Sequence, residues 1–316
     1  MKRLIALALI ALSAGAQAAY PEKPIRFILP SAAGGSVDVL MRVLAQQLSA
    51  QMGVGFVVEN KPGGAFVPGT MDIVRAAPDG YTLGYGNIVS LAINRALLPK
   101  LPYDVEKDLT LVSNCVQVFN MLAVNNDLPV RSVQELVAYA KKNPGKLTNG
   151  SSGNGTTGHL GGELFKFMTG TDIVHVPYKG SPQAINDLMG GNIQVMFDNV
   201  PSIGPHVKAG RVRGLGVSAP KRAAQFPDLP TIAEAVPGYE TNSWGGVIGP
   251  AKLPSEVLNR LVVEIRKALA APAVVERYRQ LDTEPDGAGP EAFLELVRKE
   301  TPKWAEVVKK SGAKVD

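Results

Sequence analysis

The chain of 316 residues has one cysteine, Cys115, and three histidines, His159, His175 and His206. A lone cysteine closes no internal disulfide, and thiolate metal sites need several. The histidines are too widely spaced for a histidine metal site, so no metal and no cofactor is expected. Cys115 sits in an apolar stretch and reads as a small core residue. Aromatic residues are 6% of the chain and never interleave with a basic block, which argues against nucleic acid as a partner. The chain also lacks an intact G-x-S-x-G elbow around Ser36 or Ser152, so a serine hydrolase would need His159, a serine and an acid to converge from elsewhere.

The first apolar run, Leu4 to Leu12, is too short to span a bilayer. It follows Lys2 and Arg3 and precedes Ala16-Gln-Ala18. This is the pattern of a secretory signal peptide over residues 1–18, cut after Ala18, and it places the mature chain outside the cytoplasm. No cysteine lies beside the cleavage point to carry a lipid. Formal net charge is +5 and falls by two with Lys2 and Arg3.

What remains is long enough for two domains. The 33 glycines and 24 prolines are spread along it, which suits many short strand–helix connections. The organising stretch is Pro30 to Asp38. An apolar strand, Ile25 to Leu29, turns through Gly34-Gly35 into a helix with Val37, Leu40, Met41, Leu44 and Leu48 on one face and Gly53 at its end. The free amides at such a helix start suit an anion. The plainer reading is an ordinary connection with Ser36 as N-cap. A second such loop, Ser151 to Gly158, leads into a helix at His159 to Met168. Strands near Phe56, Tyr81, Asp172 and Ile193 alternate with helices, which predicts parallel sheets covered by helices. Leu109 to Val124 is read as strands crossing between two lobes. Ser132-Val-Gln-Glu135 is a capping box, and Pro302 is expected to restart or kink the last helix.

Several residues carry two readings. Gly153, Gly155 and Gly158 match G-x-G-x-x-G with Asp172 downstream, but the strand before them is short and polar, and an exported protein meets little nicotinamide cofactor. His159 caps or donates at its helix mouth. Asp198 accepts from a ligand or caps the helix from Pro201. Phe66 covers the ligand or fills the core, and Tyr178 and Trp244 line a cleft or pack at a hinge.

Several motifs recur in one order: Pro30 to Asp38, Val57-Val-Glu-Asn-Lys-Pro-Gly63, Pro78-Asp-Gly-Tyr-Thr-Leu83, Leu101-Pro-Tyr-Asp104, His159-Leu-Gly-Gly-Glu-Leu-Phe165, His175-Val-Pro-Tyr-Lys-Gly180 and Pro237-Gly-Tyr-Glu240. From about Tyr20 to the C-terminus the chain resembles the Bug family of extracytoplasmic solute receptors, the TctC-like binding proteins of tripartite tricarboxylate transporters. The resemblance implies an α/β, two-lobed periplasmic binding protein fold, each lobe a mostly parallel sheet flanked by helices, with the ligand cleft between them. Residues 19–121 and 244–316 would form lobe 1 and residues 122–243 lobe 2. It implies a non-enzymatic, monomeric receptor that closes on a small carboxylate and delivers it to membrane permease subunits. A same-fold receptor serving a sensor kinase is the alternative, and a secreted hydrolase is a more distant one. Carried over by position, the first-lobe grip falls on backbone amides of Ser31, Ala32, Ala33 and Gly34, with Asn87 and Ser90, and the separate reading of Phe66 as a cover for the ligand adds it to this lobe's site. The second-lobe grip falls on Ser152, Gly155, Thr156 and Thr157, with Asp198 nearby, and His159 joins them from its own position at the helix mouth. Where the family usually has Phe-Ala-Pro, this chain has Ser31-Ala-Ala33, which implies a less bulky wall.

Overall fold

The computed structural model describes residues 20–313. The expected signal segment and its cleavage point lie outside the described residues. Along the first hundred residues β1 (Ile25–Leu29), α1 (Ser36–Met52), β2 (Phe56–Asn60), α2 (Val67–Val74) and β3 (Thr82–Asn87) alternate. A π-helical turn at Val89–Ile93 and the short helices α3 (Asn94–Leu97) and α4 (Val105–Asp108) lead to the 16-residue strand β4 (Leu109–Val124). Then come α5 (Val133–Lys142), β5 (Leu147–Ser151), α6 (Thr157–Thr169), β6 (Ile173–Pro177), α7 (Ser181–Met189), β7 (Val195–Asn199), α8 (Val200–Lys208) and β8 (Arg213–Val217). The chain returns through β9 (Asn242–Pro250) and ends on α9 (Ser255–Leu269), α10 (Pro272–Gln280), the two-residue β10 (Glu284–Pro285) and α11 (Pro290–Ser311).

The strand order is β2-β1-β3-β9-β4-β7-β5-β6, with β8 and β10 also paired to β4. Each lobe has a parallel heart, β2-β1-β3 in the first and β6-β5-β7 in the second. Antiparallel strands join the two, so the sheets are mixed. Residues Leu109 to Phe119 of β4 pair with β9 in the first sheet, and Asn120 to Val124 pair with β7 and β8 in the second. The stretch expected to supply several crossing strands is thus one strand shared by both lobes.

Both faces of each sheet are covered, and the period of two shows how. In β1, Ile25, Phe27 and Leu29 pack with α1, α9 and α10, while Ile28 faces Ile73, Trp244, Phe293 and Trp304. In β4, Leu122 and Val124 join one second-lobe cluster and Met121 and Ala123 the other. The helical face predicted for α1 is the buried one, and α1 ends at Gly53 with φ 71°. Cys115 is fully buried, and burial pushes its thiol up to about 12.

Some local expectations change. Gly35, not Ser36, precedes the first turn of α1. Ser132 Oγ accepts from the Glu135 amide at 3.1 Å, but the Glu135 carboxylate accepts from the Arg131 amide rather than from Ser132's own. The reciprocal box forms instead at Thr231 and Glu234. Helix α11 runs unbroken through Pro302. Its buried face, with Phe293, Val297 and Trp304, holds it on the first lobe across the missing amide.

Candidate functional site

A cavity of about 510 Å³ lies between the lobes, within the usual range for small-molecule sites. Every parallel strand reaches it at its carboxyl end. After β1 come Pro30 to Ala32 and Gly35 to Val37. After β2 come Pro62 to Phe66, and at the end of β3 come Asn87 and Val89. The second lobe supplies Ser152 to Asn154, Thr156 and Thr157 after β5, Pro177 to Ser181 after β6, and Asp198 and Asn199 at the end of β7. This is the edge at which open α/β sheets bind ligands. The N-termini of α1, α6, α7 and α8 all lie at its wall, each with amides that have no partner inside the helix. Four helix dipoles turn their positive ends to one cavity.

The loops are held by side chains that, Asn87 apart, lie outside the cavity wall. The Gly34 amide donates to Asp38 Oδ2 at 2.9 Å, and Asp38 Oδ1 accepts from Arg42 Nε and Asn60 Nδ2, both at 2.8 Å. Asn60 Nδ2 also donates to the Ser31 carbonyl. In the second lobe the Gly155 amide donates to His159 Nδ1 at 3.0 Å. The His159 ring stacks on His175 with centroids 3.9 Å apart, and His175 Nε2 meets Ser151 Oγ at 2.7 Å. Burial, with Lys166 in support, lowers His159 to about 4. Burial, then His159 and Lys166, lower His175 to about 3. Both rings are therefore neutral at pH 7. After β3, Asn87 Oδ1 accepts from the amides of Val89 and Ser90, both at 3.1 Å.

Of the residues expected at the site, Ser31, Ala32, Phe66, Asn87, Ser152, Thr156, Thr157 and Asp198 line the cavity. Ala33, Gly34, Ser90, Gly155 and His159 do not. Ala33 is exposed, and the amides of Gly34 and Gly155 are already used by Asp38 and His159. Ser90 is buried against Asn87, and His159, expected to cap or donate at its helix mouth, accepts there from the Gly155 amide. Phe66 sits at φ 68° and Ala65 at φ 49°, a strained pair that bends the chain along the cavity wall. Tyr178 lines the cavity with its hydroxyl tied to Asp187, whereas Trp244 is buried edge-on to Phe293. Asp198 is no N-cap. Asn199 precedes α8, and Asp198 Oδ2 is buried without a hydrogen-bond partner among the described residues. Burial raises its carboxyl to about 6.

Ser36, Lys179, Ser181, Asn199 and Ser243 also line the cavity and were not among the expected ligand contacts. Tyr178-Lys-Gly180 before Ser181-Pro182 is a third glycine loop opening a helix, the same signal as at Gly34 and Gly155. Across the cleft, Asn199 Nδ2 donates to Ser36 Oγ at 2.9 Å. A Cβ on Gly180 would lie 2.4 Å from that of Ala32. The lobes therefore touch on the rim. The Ser151–His175 pair has the reach of a nucleophile and base, but Ser151 is fully buried and outside the cavity wall. Among the described residues, no group of His, Cys, Asp and Glu is placed to hold a metal, and no helix is long and apolar enough to cross a membrane.

Comparison with known proteins agrees with this geometry. Residues 40–313 match the model of the tripartite tricarboxylate transporter family receptor. Protein BugT of Bordetella pertussis is 36% identical over 94% of this chain and 91% of its own length. A solved R. palustris protein, Rpa4515 with adipate, is 37% identical with a TM-score of 0.91 over 94% of this chain and 100% of that one. The periplasmic binding protein BugD is 33% identical with a TM-score of 0.89 over 93% and 99% of the two chains. The two-lobed fold, the cleft at the strand ends and these matches lead to one conclusion: the chain belongs to the tripartite tricarboxylate transporter receptor family.

Proposed function

We propose that this protein is a periplasmic receptor that captures a small carboxylate between its lobes and hands it to the permease of a tripartite tricarboxylate transporter. The class comprises dicarboxylates, tricarboxylates, aromatic acids and acidic amino acids. The observation that carries the reading is the convergence of the α1, α6, α7 and α8 N-termini on one cavity. Oriented amides hold an anion without a dedicated cationic side chain. Their cost of organisation is met during folding, by Asp38 and His159. The adipate bound in the Rpa4515 structure is of the same chemical class.

On this reading the ligand contacts are Ser31, Ala32, Phe66 and Asn87 from the first lobe and Ser152, Thr156, Thr157 and Asp198 from the second. Ser36 and Ser181 add helix-start amides. The lobes divide within β4, near Phe119 and Asn120, where its pairing passes from one sheet to the other, and before β9, near Asn242. The protein binds and releases its ligand unchanged.

A thermal-shift screen against a carboxylate panel tests this. A ligand at about a hundred times its dissociation constant stabilises the folded state by roughly 2.7 kcal/mol. One acid should raise the midpoint by several degrees and be recovered intact. No shift with any carboxylate, and no acid in mass spectra of the denatured protein, would sink the proposal.

A further inference from the structure

Two buried polar atoms of the cavity-lining residues have no hydrogen-bond partner among the described residues: Ser31 Oγ in the first lobe and Asp198 Oδ2 in the second. They ask different things of a ligand. A hydroxyl donates as well as accepts, so a carboxylate satisfies Ser31. An ionised carboxylate only accepts, so Asp198 needs a donor. Asp198 is 4% exposed. The groups that favour its charge are Ser181, the Asn199 amide and Ser202, and no cation is among them. None of them reaches Oδ2 with hydrogen-bonding geometry. On the same cavity wall the Tyr178 hydroxyl is committed to Asp187 and the Asn199 side-chain amide to Ser36 and Asn120.

A plain diacid placed against this wall would bring a second acceptor and a like charge to a buried acceptor, which is unfavourable. A hydroxyl or ammonium group on the same ligand would supply the missing donor. We propose that Asp198 makes this receptor selective for acids that carry a hydrogen-bond donor, a hydroxyl or an ammonium group, next to the carboxylate held by the helix N-termini. The inference rests on the carboxylate reading and narrows it. It gives the two lobes separate tasks. The amides of both grip the anion, and the end of β7 reads the substituent beside it.

Titration calorimetry on the purified protein tests it with matched acids of fixed chain length. Suitable sets are succinate, malate and aspartate; glutarate, 2-hydroxyglutarate and glutamate; and adipate with 2-aminoadipate. Within the set that fits the cavity, the better donor-bearing acid should bind at least about tenfold tighter than its unsubstituted parent, because a site built around a hydrogen bond rejects the analogue that lacks it. Asp198→Asn, whose amide nitrogen donates where Oδ2 accepted, should reduce that ratio to about threefold or less. Should this variant melt early, the wild-type ratios still decide. Equal affinity within every set overturns the inference and leaves the carboxylate reading standing. So does a ratio that survives in Asp198→Asn. If no acid of these sets binds, the inference falls, and the thermal screen shows whether the carboxylate reading falls with it.

Discussion

Asp198 and the His159–His175 pair titrate in neighbouring pH ranges with opposite effects on stability. The Asp198 carboxyl is raised to about 6 by burial. An acid raised above its unfolded value, near 3.9, favours folding at low pH and loses that advantage as pH rises through 6. Asp198→Asn should therefore raise the melting temperature of the unliganded protein by a few degrees at pH 8, and by less at pH 5. Equal melting at pH 8 would show that the buried carboxylate costs nothing. The histidines run the other way. Their values are lowered to about 4 and about 3, so their contribution is complete above the unfolded value near 6.5 and is lost as pH falls through the folded ones. Acid should weaken the wild type by on the order of 2–3 kcal/mol between pH 6.5 and 4. His159→Gln, which keeps an acceptor for the Gly155 amide, should flatten that slope in urea titrations.

The glycines of the second loop act at the scale of elements. The sequence pattern Gly153, Gly155, Gly158 resembles a dinucleotide fingerprint, and the third glycine does serve close helix–strand packing. A Cβ at Gly158 would sit 2.2 Å from the Phe197 carbonyl oxygen, so α6 lies directly on β7. Backbone does not yield easily, and Gly158→Ala should destabilise the fold by about 2–4 kcal/mol, measured by denaturant melting. Gly155 has φ 77°, and the nearest atom to a Cβ there would be the end of the Leu97 side chain, at 2.4 Å. Gly155→Ala should cost less stability than Gly158→Ala but misplace the Thr156 and Thr157 amides, so ligand affinity falls more than stability does. If the two variants rank the other way in stability, the packing account of Gly158 is wrong.

For the whole molecule, what matters is how the lobes meet. Asn120, where β4 passes from one sheet to the other, donates to Thr157 and Asn199, and Asn199 reaches across to Ser36. Ala32 and Gly180 touch at the rim. The structure is thus a closed arrangement, and the small wall at Ser31-Ala-Ala33 is matched by a glycine opposite. Ala32→Leu should hold the lobes apart. Affinity should drop about tenfold or more while unliganded stability stays within about 0.5 kcal/mol. In solution scattering the variant should keep its larger radius at saturating ligand. Compaction equal to wild type would refute a steric role for this contact.

The alternation of strand and helix, the apolar face of α1 and the glycine loops at Gly34 and Gly155 were legible in the sequence, because periodicity and glycine report local backbone conformation. So was the family, through motifs spread along the chain. The amides of Gly34 and Gly155 looked available because only tertiary structure shows that Asp38 and His159 use them. Ser36, Asn199 and Gly180 were missed as site residues because their partners lie in the other lobe, up to 163 residues away. The sequence by itself determined which segments become strands and helices, since that choice depends on near neighbours. Only the tertiary structure decided which amides stay free, which carboxylate is left without a donor and where the lobes touch, since those depend on contacts between residues far apart in the chain.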